Sequence, residues 1–133
     1  MGINRVFSHQ LKKAEISLTK EQWSVMAVLW KEDGVTQQFL ADATFRDRAG
    51  ITRLLDNLER DRLVERRPHE EDRRTNLIFL TKKGKEIEED VVNVLEETIH
   101  SVTENIDDDS IENLRFVFEK INDNIQKLEN QEL

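Results

Sequence analysis

Arginine is the residue type in this sequence whose number and spacing could support binding chemistry. Nine of the eleven arginines lie between Arg46 and Arg74. A guanidinium group can donate two parallel hydrogen bonds to a phosphate or to the edge of guanine. The cluster therefore predicts a surface that binds anions, with an ordinary solvated face of surface ion pairs as the alternative.

The net charge of −8 is divided unevenly along the 133 residues. Residues 36–85 carry twelve Lys and Arg against nine Asp and Glu, a sum of +3, whereas residues 86–133 carry three against fifteen, a sum of −12. The basic middle segment is therefore expected to meet an anionic partner. The acidic last segment is expected to face away from it.

Few residues could support catalysis or metal binding. The sequence has no cysteine, and His9, His69 and His100 are scattered without the spacing of a metal-binding helix. It also has no glycine-rich phosphate loop and no nucleophile elbow. We therefore expect no enzyme activity, no metal and no cofactor. No apolar run is long enough for a membrane span, which predicts a cytoplasmic protein without a membrane partner.

Helical spacing and capping residues predict the elements that would position the arginines, beginning with three helices. Thr19 and Gln22 have the spacing of a capping box, which predicts the start of a second helix that ends at Gly34. Thr36 is expected to cap a short third helix over residues 37–43. An amphipathic first helix is predicted by apolar residues at helical spacing, among them Ile3, Phe7 and Leu11.

A fourth helix, predicted over residues 48–60, carries several candidate binding residues. Asp47 is a suitable N-cap for it. One narrow apolar stripe is formed by Ile51, Leu54, Leu55 and Leu58. At about 100° per residue, the opposite face carries Ala49, Arg53, Asp56 and Arg60, with Arg46 just before the helix and Thr52 on its flank. This face is free to meet a partner.

Two short extended runs, residues 63–67 and 76–80, follow this helix and predict a β-hairpin with a polar turn. Thr81 can then cap a long helix, and three acids at residues 107–109 are suited to the start of the next one. In that last helix, apolar residues alternate spacings of three and four at Ile111, Leu114, Phe118, Ile121, Ile125 and Leu128. This seam predicts a homodimer interface, to which Ile3, Phe7 and Leu11 also contribute. The alternative is a seam that packs within one chain.

A helix, a short turn, a second helix with an outward face and a basic hairpin is the order of a winged helix-turn-helix. Such a second helix fits the major groove of DNA, while the hairpin reaches the neighbouring backbone or minor groove. We predict a mainly α fold with a small β-hairpin wing, as a single domain over residues 1–133. Residues 19–84 would form the DNA-binding lobe, and residues 1–17 and 85–133 the N- and C-terminal dimerisation helices.

Over about residues 11–128 the sequence resembles the MarR-type bacterial transcription regulators. The resemblance begins at Leu18-Thr19-Lys20-Glu21-Gln22, which is similar to the family's L-T-x-x-Q. It continues through the helix-turn-helix at Leu40-Ala41, Ile51-Thr52-Arg53 and Leu58-Glu59, and through Leu63-Val64-Glu65-Arg66 before the wing. Its most specific part is the D-x-R wing signature at Asp72-Arg73-Arg74, followed by L-T-x-x-G at Leu80-Thr81 and Gly84.

The resemblance implies a homodimeric DNA-binding regulator, usually a repressor, whose two recognition helices enter successive major grooves of an inverted repeat. It also implies that Asp72 and Arg74 form an ion pair in the wing and that Arg74 contacts DNA. From the residues and the resemblance together, the candidate DNA-binding residues are Gln37, Arg46, Arg48, Thr52, Arg53, Arg73 and Arg74.

Three departures from the family pattern affect the expected recognition. Phe45 stands where the family's turn commonly has Gly, and Ala49 and Gly50 stand where Ser or Thr is frequent. Because fewer hydroxyl groups face the bases, we expect phosphate contacts and groove shape to carry more of the specificity. Arg62 stands where the family often has Gly; if its backbone is left-handed, the cost is on the order of 1 kcal/mol.

Two alternatives stay open at this point. A winged-helix module could bind protein instead of DNA, using the same helix and hairpin. A small-molecule effector could also bind in a crevice between the dimer helices and the DNA-binding lobe and relieve DNA binding, as the family implies. Its candidate lining is aromatic, Phe7, Trp23, Trp30 and Phe39, although aromatic residues at helical spacing also serve as ordinary core.

Overall fold

The computed structural model describes residues 2–132; Met1 and Leu133, the two ends of the predicted single domain, lie outside the described residues. Within that range the chain forms six helices and three strands. In chain order they are α1 (Gly2–Lys13), α2 (Lys20–Lys31), β1 (Val35–Thr36), α3 (Gln37–Ala43), α4 (Arg48–Arg60), β2 (Val64–Pro68), β3 (Asn76–Leu80), α5 (Lys82–Val102) and α6 (Asp108–Glu132). The residues group into two compact units, a first unit up to Ile99 and a second unit from His100 onward.

The second and third helices begin where their capping residues predict. The Thr19 hydroxyl accepts a hydrogen bond from the Gln22 amide at 3.1 Å, and the Gln22 side chain accepts one from the Thr19 amide at 3.0 Å. The predicted capping box is therefore confirmed at the start of α2. Thr36 caps α3 by accepting a hydrogen bond from the Phe39 amide at 3.0 Å. Both caps satisfy amide groups that have no partner inside the helix.

The core of the first unit includes two residues of α1 that the sequence assigned to a dimer interface. Phe7 and Leu11 are only 6% and 2% exposed, and the Phe7 ring packs edge to face against Trp23 with their centroids 5.4 Å apart. Their burial within the single chain corrects that assignment, because a buried side chain offers no surface to a second copy. Ile3 is 42% exposed and stays available.

The sheet of the first unit is antiparallel, in the order β1-β3-β2. The β2–β3 pair is the predicted hairpin, with Arg66 opposite Ile78. Strand β1 was not predicted, because two residues are too few to show an alternating pattern. With six helices in the described part of the chain and this small sheet, the fold is mainly α with a β wing, as predicted.

The second unit contains α6, whose start follows the predicted acidic segment. The Asp107 carboxylate accepts hydrogen bonds from the Ser110 amide at 2.7 Å and the Ser110 hydroxyl at 2.9 Å, and these bonds hold the pKa of the Asp107 carboxyl below its ordinary value. The predicted seam is partly buried at Ile111 and is 46–61% exposed at Leu114, Phe118, Ile121, Ile125 and Leu128. In the described part of the chain, no helix is both long and apolar enough to cross a membrane.

Candidate nucleic-acid interface

Helix α4 presents one face to solvent because the opposite face is held in the core. Asp47 caps the helix by accepting a hydrogen bond from the Gly50 amide at 2.7 Å. The predicted apolar stripe is buried, with 7% exposure or less at Ile51, Leu54, Leu55 and Leu58. As a result, Arg48, Ala49 and Arg53 are exposed. Two of the predicted binding arginines therefore stand on an open surface of the helix.

Thr52 and Gln37, both predicted to contact DNA, are brought together by the packing of α3 on α4. The Gln37 amide group donates a hydrogen bond to the Thr52 hydroxyl at 2.7 Å, and both side chains are partly buried. Accepting this bond leaves the Thr52 hydroxyl proton free to donate elsewhere. The Thr52 hydroxyl can therefore donate a hydrogen bond to a partner at the edge of the exposed face of α4.

Arg46, another predicted binding residue, is tied to the protein itself. Its guanidinium Nη1 donates to the Ser24 hydroxyl of α2 at 3.1 Å and to the Thr44 carbonyl at 3.3 Å. Ser24 in turn donates to the Glu21 carbonyl at 2.6 Å. Arg46 is partly buried and anchors the turn before α4 to α2. This contact favours a positioning role for Arg46.

Arg66 joins the wing to α4 and was not among the predicted site residues. Its guanidinium lies 2.8 Å from the Asp56 carboxylate and 3.3 Å from the Glu59 carboxylate, and it donates to the Thr52 carbonyl at 3.2 Å. The Arg66 amide also donates to Glu59 at 3.2 Å. The side chain is only 18% exposed. The sequence carried no signal for this role, because the contacts depend on how β2 lies against α4.

The tip of the wing corrects one prediction about the Asp72–Arg74 pair. The Asp72 carboxylate accepts hydrogen bonds from the Arg74 main-chain amide at 3.0 Å and from the Thr75 hydroxyl at 3.1 Å. It forms no ion pair with the Arg74 guanidinium, because two residues of tight turn bring the amide, and not the side chain, to the carboxylate. Arg73 and Arg74 are both exposed. Asp72 thus shapes the turn that presents two unpaired guanidinium groups.

Other arginines of the cluster lie on the hairpin strands and are engaged there. The Arg67 guanidinium lies 4.2 Å from the centre of the Phe79 ring and forms an ion pair with Glu65. A cation over an aromatic face and a carboxylate at its side are both attractive contacts. Arg67 therefore belongs to the framework of the wing.

The L-T-x-x-G segment joins the end of α4 to the start of α5. The Thr81 hydroxyl donates to the Arg62 carbonyl at 2.6 Å and accepts from the Gly84 amide at 3.0 Å. A side chain at Gly84 would place its Cβ 2.1 Å from the Leu63 carbonyl oxygen, and the Trp30 indole donates to the Gly84 carbonyl at 2.9 Å. Only glycine fits this close approach, so the segment fixes the base of the wing.

Two residues with side chains adopt left-handed backbone angles on either side of α4. Phe45 has φ 54° and Arg62 has φ 61°, where glycine is normally favoured. Each costs on the order of 1 kcal/mol. The left-handed backbone considered for Arg62 is therefore present. Phe45 is 93% exposed, so its ring gains no packing within the protomer.

A crevice of about 1130 Å³ lies beside α4, and its walls come from the end of α1, the start of α2 and α4 itself. Gln22 and Asp61 meet in its lining, where the Gln22 amide donates to the Asp61 carboxylate at 3.0 Å. The remaining lining mixes apolar and charged side chains, including Ile16, Leu18, Leu54, Lys12, Glu15 and Arg53.

None of the four aromatic residues predicted to line an effector crevice lines this one. Phe7 is buried in the core, which fits the alternative that it is an ordinary packing residue. Trp23 and Trp30 are partly buried against the core, and Phe39 is 43% exposed on α3. Across residues 2–132, no group of three or more His, Asp or Glu side chains is placed to hold a metal ion.

A protein-family model described as MarR family matches residues 16–75, which include α2, α3, α4 and β2. The chain is 28% identical over 80 residues to the organic hydroperoxide resistance transcriptional regulator of Bacillus subtilis (strain 168), covering 60% of this chain and 54% of that protein. It is 38% identical over 72 residues to the HTH-type transcriptional regulator TtmR of Methylorubrum extorquens (strain PA1), covering 54% of this chain and 37% of that protein. The matches span about half the length of these curated relatives, or less.

The fold is also similar to a solved structure. The crystal structure of a MarR transcriptional regulator from Methanosarcina mazei Go1 matches with a TM-score of 0.83 and 25% sequence identity, covering 94% of this chain and 88% of that chain. The structural match therefore extends well beyond residues 16–75.

Proposed function

We propose that the chain is a MarR-family transcriptional regulator that binds specific double-stranded DNA as a dimer and acts as a repressor, because a MarR family model matches residues 16–75 and the fold is a winged helix-turn-helix. The recognition helix α4 would enter the major groove. The tip of the wing would lie at the adjacent minor groove. The protein would bind DNA by equilibrium association and would catalyse no reaction.

The observation that supports this proposal most strongly is the state of four arginines. Arg48 and Arg53 on α4 and Arg73 and Arg74 on the wing are all exposed. None of them takes part in an ion pair within residues 2–132, whereas Arg66 and Arg67 do. A winged helix-turn-helix contacts the major groove with its recognition helix and the minor groove with its wing, and both of these elements carry unpaired guanidinium groups here.

The exposed seam of α6 supports the dimeric part of the proposal. Five apolar side chains at heptad spacing are about half exposed in the single chain. Covering such a stripe with a second copy removes apolar surface from water, which stabilises the pair. Two copies would then present two α4 helices to an inverted repeat whose half-sites are roughly 34 Å apart. A small-molecule effector that binds more tightly to a dimer with a different separation of the two α4 helices would shift the dimer away from the arrangement that fits DNA. The DNA affinity would fall by the effector's preference for that other arrangement.

The proposal is tested by selecting binding sequences from a pool of randomised duplexes and measuring affinity against salt concentration. We expect an inverted repeat to emerge. The logarithm of affinity should fall with the logarithm of salt concentration, with a slope near −0.9 for each phosphate contacted. A flat salt titration and no recovered motif would contradict DNA binding and favour a winged-helix module that binds protein.

The dimer is tested by replacing Leu114 and Ile121 with Asp in the same chain. We expect a monomer by analytical ultracentrifugation and a loss of tight binding to the selected duplex, because charged groups in an apolar seam stay hydrated only if the two copies separate. Phe116→Asp is the matched control. Phe116 is 59% exposed and lies on the opposite face of α6 by helical spacing, so this variant should remain dimeric. A stable dimer in the double variant would contradict the assignment of the seam.

A further inference from the structure

Phe45 is an exposed aromatic residue in the turn between α3 and α4. Its side chain is 93% exposed, whereas Phe39, on the preceding helix, is 43% exposed. An exposed aromatic ring leaves a large apolar surface in water. Packing within the protomer therefore does not account for phenylalanine at this position.

Backbone conformation does not account for it either. Phe45 has φ 54°, in the left-handed region that glycine or asparagine adopts with less steric cost. The turn itself is held by main-chain hydrogen bonds, from the Phe45 amide to the Asp42 carbonyl at 3.3 Å and from the Arg46 amide to the Ala41 carbonyl at 2.9 Å. Any residue except proline could make the Phe45 bond. A strained residue whose side chain buries nothing points to a role outside the protomer.

The turn holds Phe45 at the end of α4 that faces DNA in the proposed complex. Arg46 fixes the turn to α2 through Ser24, and Asp47 caps the helix directly after it. Arg48, three residues after Phe45, is exposed and unpaired in the described chain. The ring is therefore held beside a cationic surface by an anchored backbone.

We propose that Phe45 is a specificity-determining residue that contacts the 5-methyl group of a thymine at the edge of the major groove. This inference rests on the proposed DNA-binding function. In the major groove, thymine presents a methyl group that aromatic and small apolar side chains contact, and no other base offers one. Because Ala49 and Gly50 bring no hydroxyl groups to the start of α4, an apolar contact would supply base discrimination that is otherwise missing there.

The cationic surroundings favour DNA over a protein partner. Phe45 directly precedes Arg46 and stands three residues before Arg48 in the sequence, and the exposed face of α4 adds Arg53. An apolar docking site for protein normally has a contiguous apolar centre with charged residues at its rim. A single aromatic ring among guanidinium groups instead matches the alternation of methyl groups and phosphates along a DNA groove.

The test uses the full chain and the duplex recovered by selection. Each thymine of one half-site is replaced in turn by deoxyuridine, which removes only the methyl group. Affinity is measured by fluorescence anisotropy for the unaltered protein, for Phe45→Ala and for Phe45→Leu. Phe45→Ala keeps a Cβ on the left-handed backbone and removes the ring, whereas Phe45→Leu keeps an apolar side chain. Phe116→Ala is the control for loss of an exposed phenylalanine elsewhere.

We expect one thymine whose replacement weakens binding by the unaltered protein about fourfold, the factor for burying one methyl group. The same replacement should have no effect on Phe45→Ala and an intermediate effect on Phe45→Leu. The thermal unfolding temperature of both variants should stay close to that of the unaltered protein. Phe116→Ala should respond to deoxyuridine as the unaltered protein does.

Two results would overturn the inference while leaving the proposed function intact. One is equal affinity of Phe45→Ala and the unaltered protein for the selected duplex. The other is that each deoxyuridine replacement weakens binding by Phe45→Ala as much as it weakens binding by the unaltered protein. If the unaltered protein itself shows no salt-dependent binding to any duplex, the proposed function fails and the inference fails with it.

Discussion

The arginines at the base of the wing, where β2 packs on α4, differ in their contacts from those at its tip, the turn between β2 and β3. At the base, Arg66 is 18% exposed and lies within 3.3 Å of the carboxylates of Asp56 and Glu59. At the tip, Arg73 and Arg74 are exposed, and the nearby carboxylate of Asp72 accepts hydrogen bonds from main chain and hydroxyl groups. Nearby acids therefore decide which arginines hold the fold together and which remain for an anionic partner.

The largest effect is expected from a change at the tip. Arg74→Ala should weaken binding to the selected duplex at least tenfold, about 1.4 kcal/mol, because an unpaired guanidinium group is lost from the proposed DNA-binding surface of the protein. The salt slope should become shallower by about 0.9 for each phosphate contact removed. Anisotropy titrations over a range of salt concentrations measure both quantities. An unchanged affinity would remove the wing from the proposed mechanism.

A change at the base of the wing should affect the stability of the fold more than the affinity for DNA. Arg66→Ala is expected to lower the free energy of unfolding by about 1–2 kcal/mol, since a partly buried set of charge-assisted hydrogen bonds is lost. Affinity should fall by about fivefold with no change in salt slope, because Arg66 neutralises no phosphate. Denaturant unfolding and salt titrations separate the two effects. A shallower salt slope in Arg66→Ala would show that Arg66, like Arg74, neutralises a phosphate.

Two substitutions of Asp72 distinguish a turn-forming carboxylate from a side-chain ion pair. Asp72→Asn keeps a side-chain oxygen that can accept from the Arg74 amide, whereas Asp72→Ala does not. We expect Asp72→Ala to weaken binding by about threefold through a loosened tip, and Asp72→Asn to bind at least as well as the unaltered protein. If Asp72→Asn were as damaging as Asp72→Ala, the negative charge itself would be required.

The smallest effect is expected at Arg46, which is already hydrogen-bonded within the protein. Arg46 donates to the Ser24 hydroxyl, so Arg46→Ala and Ser24→Ala should each weaken binding by about twofold and should not be additive in the double variant. A double-mutant cycle on the selected duplex measures this coupling. Additive losses, with a large effect for Arg46→Ala alone, would instead place Arg46 among the arginines that contact DNA.

Much of the fold followed from local patterns in the sequence. The capping box at Thr19, the caps at Thr36 and Asp47 and the start of the last helix after Asp107 all appear in the structure as predicted. Caps and helical spacing involve residues only three or four positions apart, so one segment contains the whole signal. The hairpin was also predictable, whereas the two-residue strand β1 exists only because β3 is there to pair with it.

The sequence predicted which elements carry the clustered arginines but not what each arginine contacts. The arginines lie on and beside α4 and the hairpin, yet Arg46 and Arg66 are bound within the protein. Phe7 and Leu11 likewise proved to belong to the core of one protomer. Each of these outcomes depends on a partner far away in sequence, such as Ser24 for Arg46.

The sequence by itself determined the six helices of the described residues, the hairpin and the segment that carries positive charge, because these depend on neighbouring residues and on composition. Only the tertiary structure decided which arginines are free, that Asp72 bonds to an amide and not to a guanidinium group, and that Phe45 stands exposed in a strained turn. The physical reason is that burial and pairing depend on distances across the fold, which local patterns along the chain do not specify.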